Sequence, residues 1–201
     1  MTAGLILAAG EARRMGTPKA LLRYRGESFL DTLLGRFGQR CAPVIVVLGA
    51  AAQEIRRATS RAATFVENER WQSGQTSSMQ CGLRAVPADA AGVLFTLVDH
   101  PAVTMGTIDV LLAGIEGRCA GVTSIEAPLL RVPRYGGRNG HPIWFSRSLI
   151  PEFLALAESG AARDVVRAHA GETEFVDVDD AGVAADIDDP AAYRGLIEAD
   201  R

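Results

Sequence analysis

The sequence predicts a single α/β domain, a mostly parallel sheet with helices on both faces. Two observations carry this expectation. Short continuous apolar runs recur at residues 4–9 (GLILAA), 43–49 (PVIVVLG) and 92–98 (GVLFTLV), the pattern of strands buried on both faces. Stretches with apolar residues at helical spacing alternate with them, which is the order of βαβ units. A chain of 201 residues fits one core rather than two, and no internal repeat, low-complexity tract or linker divides it.

The elements follow in order. Residues 4–9 form the first strand, which opens into a loop at Gly10. Phe29, Leu30, Leu33, Leu34 and Phe37 mark a helix over 28–37, with Ser28 as its cap and Asp31 as the acidic partner of a capping box. A strand at 43–49 is followed by a helix over 50–59, a strand at 63–67 and a helix over 77–86. The strand at 92–98 runs straight into Asp99-His100-Pro101. Beyond it we expect a strand at 121–125 and a loop or turn pair over the basic, glycine-rich stretch 131–139. A strand at 142–145, with antiparallel pairing an option, precedes helices over 149–157 and 162–169. A short strand at 175–178 and a helix beginning at Pro190 complete the series.

Composition excludes some classes of partner. Hydrophobic residues make up 48% and charged residues 22%, as in ordinary soluble domains. The 21 basic and 24 acidic residues leave a net charge of -3, so neither nucleic acid nor an anionic membrane is attracted in bulk. A bound phosphate must be held by a local cluster. The first apolar run has no cationic stretch before it and is too short for a signal peptide or a membrane span. Cys41, Cys81 and Cys119 are odd in number and widely spaced, with neither zinc spacing nor a disulfide framework. A reducing cytoplasm is the expected location, with the cysteines as core filler.

The most informative segment is 7–19, LAAGEARRMGTPK. A buried strand opens here into a loop carrying two glycines, two arginines and a lysine. Small residues at Ala8, Ala9 and Gly10 let a ligand approach the backbone, whose exposed N–H groups make an anion-binding concavity. Arg14 and Lys19 can add charge-assisted bonds to phosphate oxygens. In open parallel sheets ligands lie at the carboxyl ends of the strands, where this loop sits. Neither G-x-G-x-x-G nor Gly-Lys-Ser/Thr occurs in this segment, and a surface loop with solvated cations is the plain alternative.

The run LAAG…RMGTPKALL, followed by Gly26 and Leu30, resembles the N-terminal signature of nucleotidyltransferases related to the molybdenum-cofactor enzymes, LAAGxSxRMGxPKxLLxxxG. Ala12 stands where that family usually has Ser, which removes a hydroxyl contact and leaves the backbone role of the loop. Asn68, Trp71, Gly74, Ser77, Ser78 and Gly82 in NERWQSGQTSSMQCG resemble the family's N-x-x-W-x-x-G-x-x-S-S segment, which lies near the nucleotide base and the acceptor. Physically, Thr76, Ser77 and Ser78 open a helix whose N-terminus offers N–H donors to an anion. The alternative is plain capping by Thr76, with Trp71 in the core.

Val98-Asp99-His100-Pro101 resembles the family's D-Q-P or D-H-P, in which the Asp binds the catalytic magnesium. Magnesium takes hard oxygen ligands and keeps most of its waters, so one or two carboxylates and the substrate phosphates suffice. The alternative for Asp99 is a helix cap before Pro101. Residues 135–142, YGGRNGHP, resemble the G-x-x-G-H-P turn bordering the acceptor. That resemblance makes Arg138, Gly140 and His141 candidate acceptor contacts, against a flexible hairpin with solvated cations, while His100 of the D-H-P segment could bond a phosphate or the acceptor, or simply orient its loop. Residues 186–190, DIDDP, resemble the family's DIDTP, whose acids supply a second metal-facing carboxylate. Asp186 ranks before Asp188, and the two can share a face of an extended chain at period two. Asp189 replaces the usual Thr.

The resemblance runs from Gly4 to about Leu196. It implies the nucleotide-diphospho-sugar transferase (GT-A-like) fold, a Mg2+ cofactor, and attack by an acceptor phosphate on the α-phosphorus of a nucleoside triphosphate. The LAAG form of the loop resembles the cytidylyl branch, and the guanylyl branch usually reads LAGG. The resemblance therefore favours CTP with molybdopterin or its molybdenum-charged form, and a molybdoenzyme as recipient. Three other readings stay open: a sugar- or polyol-phosphate acceptor, an NAD(P)H-dependent oxidoreductase on the same fold, and a silent module that hands cofactor to a partner enzyme.

Overall fold

The computed structural model describes residues 1–12, 15–115 and 128–200. Arg13, Arg14, Cys119 and the strand expected at 121–125 lie outside the described residues.

A seven-strand path forms the main sheet, in the order β10-β7-β9-β6-β1-β4-β5, with β8 paired to β7. Its parallel half comprises β1 (Thr2–Ala8), β4 (Val44–Leu48), β5 (Thr64–Glu67) and β6 (Gly92–Leu97). In that half β1 is flanked by β4 and β6, and β5 lies outside β4. Strands β2 (Arg23–Tyr24) and β3 (Glu27–Ser28) make a separate small hairpin. The other half turns antiparallel: β9 (Ile143–Ser146) pairs against both β6 and β7 (Leu130–Tyr135), while β10 (Thr173–Asp177) runs parallel to β7.

The period-two alternation of the central strands divides the core into two layers. Ile6, Ala8, Val46, Leu48 and Leu94 pack in one layer. It is covered by α1 (Phe29–Phe37), α2 (Ala52–Ala58), α4 (Met105–Leu112) and α7 (Pro190–Glu198). Leu5, Leu7, Ile45, Val47, Val93 and Phe95 face the other way. They meet α3 (Gln75–Leu83), α5 (Ile150–Ala155) and α6 (Ala162–Ala168). Continuous apolar runs in the sequence are therefore two stripes, one for each helical layer. Among the described residues no helix is long and apolar enough to cross a membrane.

Three expectations need correction. The stretch 131–139 is a strand, β7, followed by the turn Tyr135–Arg138 and β8 (Arg138–Asn139). Its charge misleads. Arg131 is 6% exposed, and its guanidinium donates to the carbonyls of Leu111 and Ala113 and to Glu174. Helix α4 was not expected from the sequence, since it is short and contains Gly106. Thr104 caps it, and Ile108 and Leu111 anchor it in the core. Helix α3 starts at Gln75 with Gly74 at the N-cap, and Thr76 does not cap it. The Thr76 hydroxyl instead donates 2.6 Å to the Gly160 carbonyl.

Ser28 is the expected cap, although Asp31 meets its hydroxyl rather than its backbone N–H as a capping box would. Ser28 caps α1 by accepting the Asp31 N–H at 3.0 Å. The Asp31 carboxylate accepts from the Ser28 hydroxyl and from the backbone N–H groups of Ser60 and Arg61, which ties α1 to the segment after α2. The antiparallel option for the strand near 143 is the one realised.

Candidate active site

The carboxyl ends of β1 and β6 meet at a cavity of about 500 Å³. Its floor is the loop after β1: Leu7, Ala8, Ala9, Gly10, Glu11 and Ala12, with Pro18 and Lys19. The Ala12 carbonyl accepts the N–H groups of Met15 and Gly16, each at 3.1 Å, which folds the loop back on itself. That loop needs no side chain at position 12, so Ala in place of Ser leaves it intact. Ile55, Trp71, Gln72, Gly74, Gln75 and Ser78 form the opposite wall, and Asp99 closes one end.

Asp99 follows β6 and is 13% exposed at the side chain. Its Oδ2 accepts a 2.9 Å bond from Lys19 Nζ, and the same ammonium donates 2.5 Å to Asp188 Oδ1. Burial opposes the charge on Lys19, but the hydrogen bond to Asp188 and the charge of Asp99 outweigh it and hold its pKa above the ordinary value. Asp186 joins the group from the same late segment. Burial, then the charges of Asp99 and Asp188, push its carboxyl up to about 6. Between the two acids Ile187 is buried, and its N–H donates 3.1 Å to the Asp99 carbonyl. This pins the segment across the end of β6.

A divalent cation fits these residues. Asp99, His100 and Asp186 each present a ligand atom, all within 4.8 Å of one another. Asp99 Oδ1 is buried and has no hydrogen-bond partner, and such an atom is costly unless something else satisfies it. Two carboxylates offer hard oxygen donors of the kind magnesium and manganese take. Asp188 pairs with Lys19 instead, and Asp186 is the late acid whose carboxylate clusters with Asp99 and His100.

A second cavity, about 270 Å³, lies on the far side of Gln75, which lines both. Asn139, Gly140, His141 and Arg163 supply its polar atoms; Met79, Phe95, Phe145 and Phe153 supply its apolar wall. The His141 ring packs 4.7 Å from that of His100, so the pair connects this cavity to Asp99. Burial, then the charge of His100, hold His141 down at about 4; burial also lowers His100, against the pull of Asp99. Both rings are therefore neutral at pH 7, and each keeps a buried Nδ1 without a partner. Gly140 has no room for a side chain, because a Cβ would collide with the Val183 backbone.

The residues singled out from the sequence do not all face these cavities. Leu7 to Gly10, Lys19, Gly74, Ser78 and Asp99 line the first, and Gly140 and His141 the second. Asn68 and Ser77 turn inward: the buried Asn68 amide donates to both Ser77 and Ser78, and the Ser77 hydroxyl donates to the carbonyls of Arg70 and Gly74. Arg138 is exposed on β8 and lines neither cavity. Arg163, Gln72 and Gln75 reach the cavities without having been singled out. Gln75 beside Gly74 was the one legible signal, whereas Arg163 sits in a helix that only the tertiary fold brings here.

The family model described as the MobA-like NTP transferase domain matches residues 4–173. This chain is 33% identical to nicotine blue oxidoreductase of Paenarthrobacter nicotinovorans, over 92% of this chain and 91% of the relative. It is 29% identical to a probable molybdenum cofactor guanylyltransferase of Mycobacterium ulcerans, over 94% and 90%. It is 26% identical to molybdenum cofactor cytidylyltransferase of Escherichia coli, over 92% and 90%. The fold is similar to that of Rv0371c from Mycobacterium tuberculosis, with a TM-score of 0.82 and 30% identity over 98% of this chain and 97% of the other. A manganese complex of that protein gives a TM-score of 0.73 at 28% identity, over 98% of each chain.

Proposed function

Because this chain belongs to the MobA-like NTP transferase family and is a nucleotidyltransferase, we propose that it moves CMP from CTP to the phosphate of molybdopterin or its molybdenum-charged form. The observation that carries the reading is the meeting of Lys19, Asp99, Asp186 and Asp188 at one end of a nucleotide-sized cavity, with Asp99 Oδ1 buried and without a hydrogen-bond partner.

In this reading an acceptor phosphate oxygen forms a bond to the α-phosphorus. The bond from that phosphorus to the bridging oxygen breaks, and pyrophosphate leaves with the electron pair. Both reactants are anionic, so the barrier is charge repulsion and orientation, and little general-base work is needed. Asp99 and Asp186 would hold a Mg2+ ion, which supplies charge neutralisation at the phosphates when bound. Lys19 turns from its carboxylate partners toward the phosphate oxygens, and Arg14 belongs with it as a second cation on the leaving pyrophosphate. The loop Leu7–Gly10 carries the nucleotide with Gly74 and Ser78, and Asn68 and Ser77 hold that wall from behind. The acceptor enters from the second cavity past His100 and His141. Gly140 keeps the turn close there. Ala9 in the loop favours CTP over GTP.

The likeness to nicotine blue oxidoreductase favours a second reading, reduction of a ring compound with NAD(P)H. One panel separates the two. Thermal melting is followed with CTP, GTP, ATP, UTP and NADPH, each with and without magnesium. A ligand at about 100 times its Kd adds roughly 2.7 kcal/mol, which raises Tm by about 5–10 °C for a chain of this size. A magnesium-dependent rise with CTP alone supports the proposal. A rise with GTP moves the base assignment, and a rise with NADPH alone overturns the proposal.

A further inference from the structure

The cation at the active site sits on a short strap, Pro18 to Tyr24, rather than on a strand of the main sheet. The strap is a single tight turn: the Leu21 and Leu22 N–H groups donate to the Pro18 and Lys19 carbonyls at 2.9 and 3.1 Å. Three contacts fasten this stretch to the late segment of the chain. Lys19 Nζ donates to Asp188 Oδ1 at 2.5 Å, the Tyr193 hydroxyl donates to the Arg23 carbonyl at 2.9 Å, and Arg25 Nε donates to Asp200 Oδ1 at 2.6 Å. The partners are 169, 170 and 175 residues apart in sequence, so the strap and α7 run side by side.

The three contacts differ in strength and in permanence. Arg25 is 61% exposed at the side chain, and an ion pair in that setting holds little. The Lys19 pair lies in the active site, where the proposed reaction asks Lys19 to give up Asp188 for phosphate oxygens. The Tyr193 bond joins two neutral groups that neither phosphate nor metal draws on. Its donor is also fixed from behind. The Tyr193 ring meets the fully buried Phe29 ring edge-on, with centroids 5.9 Å apart. Helix α7, which carries Tyr193, is capped by Asp189 and packs on the core through Leu196 and Ile197. When Lys19 changes partners, this bond at Arg23 is the one that keeps the strap beside the late acids.

We infer that Tyr193 is a positioning residue for Lys19: through its bond to the Arg23 carbonyl, α7 sets where the active-site cation stands relative to the late acids. The inference rests on the nucleotidyltransfer reading, which supplies the reason for Lys19 to change partners. A group about 1 Å out of place can lose on the order of 100-fold in rate, so a bond outside the cavity can act on the chemistry inside it. Lys19 is the one lysine in the sequence, and the other 20 of the 21 basic residues are arginines. A lysine-specific signal therefore reports on this side chain alone.

The test follows Lys19 by magnetic resonance in the full chain, grown with lysine carrying carbon-13 at Cε and nitrogen-15 at Nζ. Wild type, Tyr193→Phe and Asp188→Asn are compared. Phe keeps a ring against Phe29 and removes only the hydroxyl, and Asp188→Asn gives the signal of a Lys19 that has lost its late partner. The Tyr193→Phe signal should move from the wild-type position toward that of Asp188→Asn. Calorimetry with magnesium and CTP or GTP, whichever wild type binds more tightly, should show Tyr193→Phe binding about 2- to 10-fold more weakly, the usual effect of one neutral hydrogen bond. A Tyr193→Phe protein with a lower Tm and the wild-type Lys19 signal would make Tyr193 a structural residue alone. A moved signal with unchanged affinity would equally overturn this inference, and either result leaves the nucleotidyltransfer reading standing. If neither triphosphate binds wild type, that reading fails and takes this inference with it.

Discussion

Lys19 and Asp99, 80 positions apart in sequence, are joined by a 2.9 Å ion pair at the carboxyl edge of the sheet. The pair joins the loop after β1 to the end of β6. Lys19 also holds Asp188, so the N-terminal loop, the central strand and the late acidic segment share one cation. In the proposed reaction an anionic substrate and a divalent metal would draw on these same groups.

Asp99→Asn removes a negative charge while keeping the shape. Turnover should fall by about 100- to 1,000-fold, the usual cost of losing one preorganised electrostatic group, with the far-ultraviolet circular dichroism unchanged. A variant with near-normal kcat would show that Asp99 does not hold the metal.

Asp186 makes the metal-free protein pH-sensitive. Its carboxyl is raised to about 6 from an ordinary value of 3.8 by burial and by Asp99 and Asp188. Between those values the folded chain keeps a proton that the unfolded chain has released, so this contribution to stability is present at low pH and is lost as pH rises through about 6. Thermal melts in a chelator should show Asp186→Asn gaining on wild type from pH 5 to pH 7. Added magnesium or manganese should reduce that gain, because a cation offsets the repulsion.

His141 acts in the opposite direction. Burial and the charge of His100 depress it to about 4, so protons bind the unfolded imidazole first. Stability from this residue is present above about pH 6.5 and is lost as pH falls toward 4. His141→Gln should flatten the acid limb of a Tm-versus-pH curve; an unchanged limb would place the acid sensitivity elsewhere.

Asp189 departs from the Thr that the resembling family favours, and the structure gives the reason it is tolerated. Its carboxylate accepts the Ala191 and Ala192 N–H groups at 2.8 and 2.9 Å, capping α7 ahead of Pro190. Thr caps a helix in the same way. Asp189→Thr should leave Tm nearly unchanged, whereas Asp189→Ala should cost about 1 kcal/mol, or about 2–4 °C. Equal effects from the two would show that the cap contributes nothing.

The sequence by itself determined the parallel half of the sheet, because runs such as 43–49 and 92–98 can be satisfied only by burial on both faces. It also determined the small-residue, basic character of 7–19 and placed acids at 99, 186 and 188, since these are properties of local composition and spacing. Only the tertiary structure decided how those groups are shared. Asp186 and Asp188 are equivalent in DIDDP. They differ here because Asp188 accepts from the Lys19 ammonium, whereas Asp186 brings its carboxylate within reach of Asp99 and His100. Likewise Arg131 reads as a loop residue until the carbonyls of Leu111 and Ala113 are available to satisfy it. Asn68 and Ser77 read as ligand contacts until their hydrogen bonds are found to be spent on each other and on backbone carbonyls. A polar side chain's role depends on which partner lies within about 3 Å of it, and the fold sets that distance between residues far apart in the sequence.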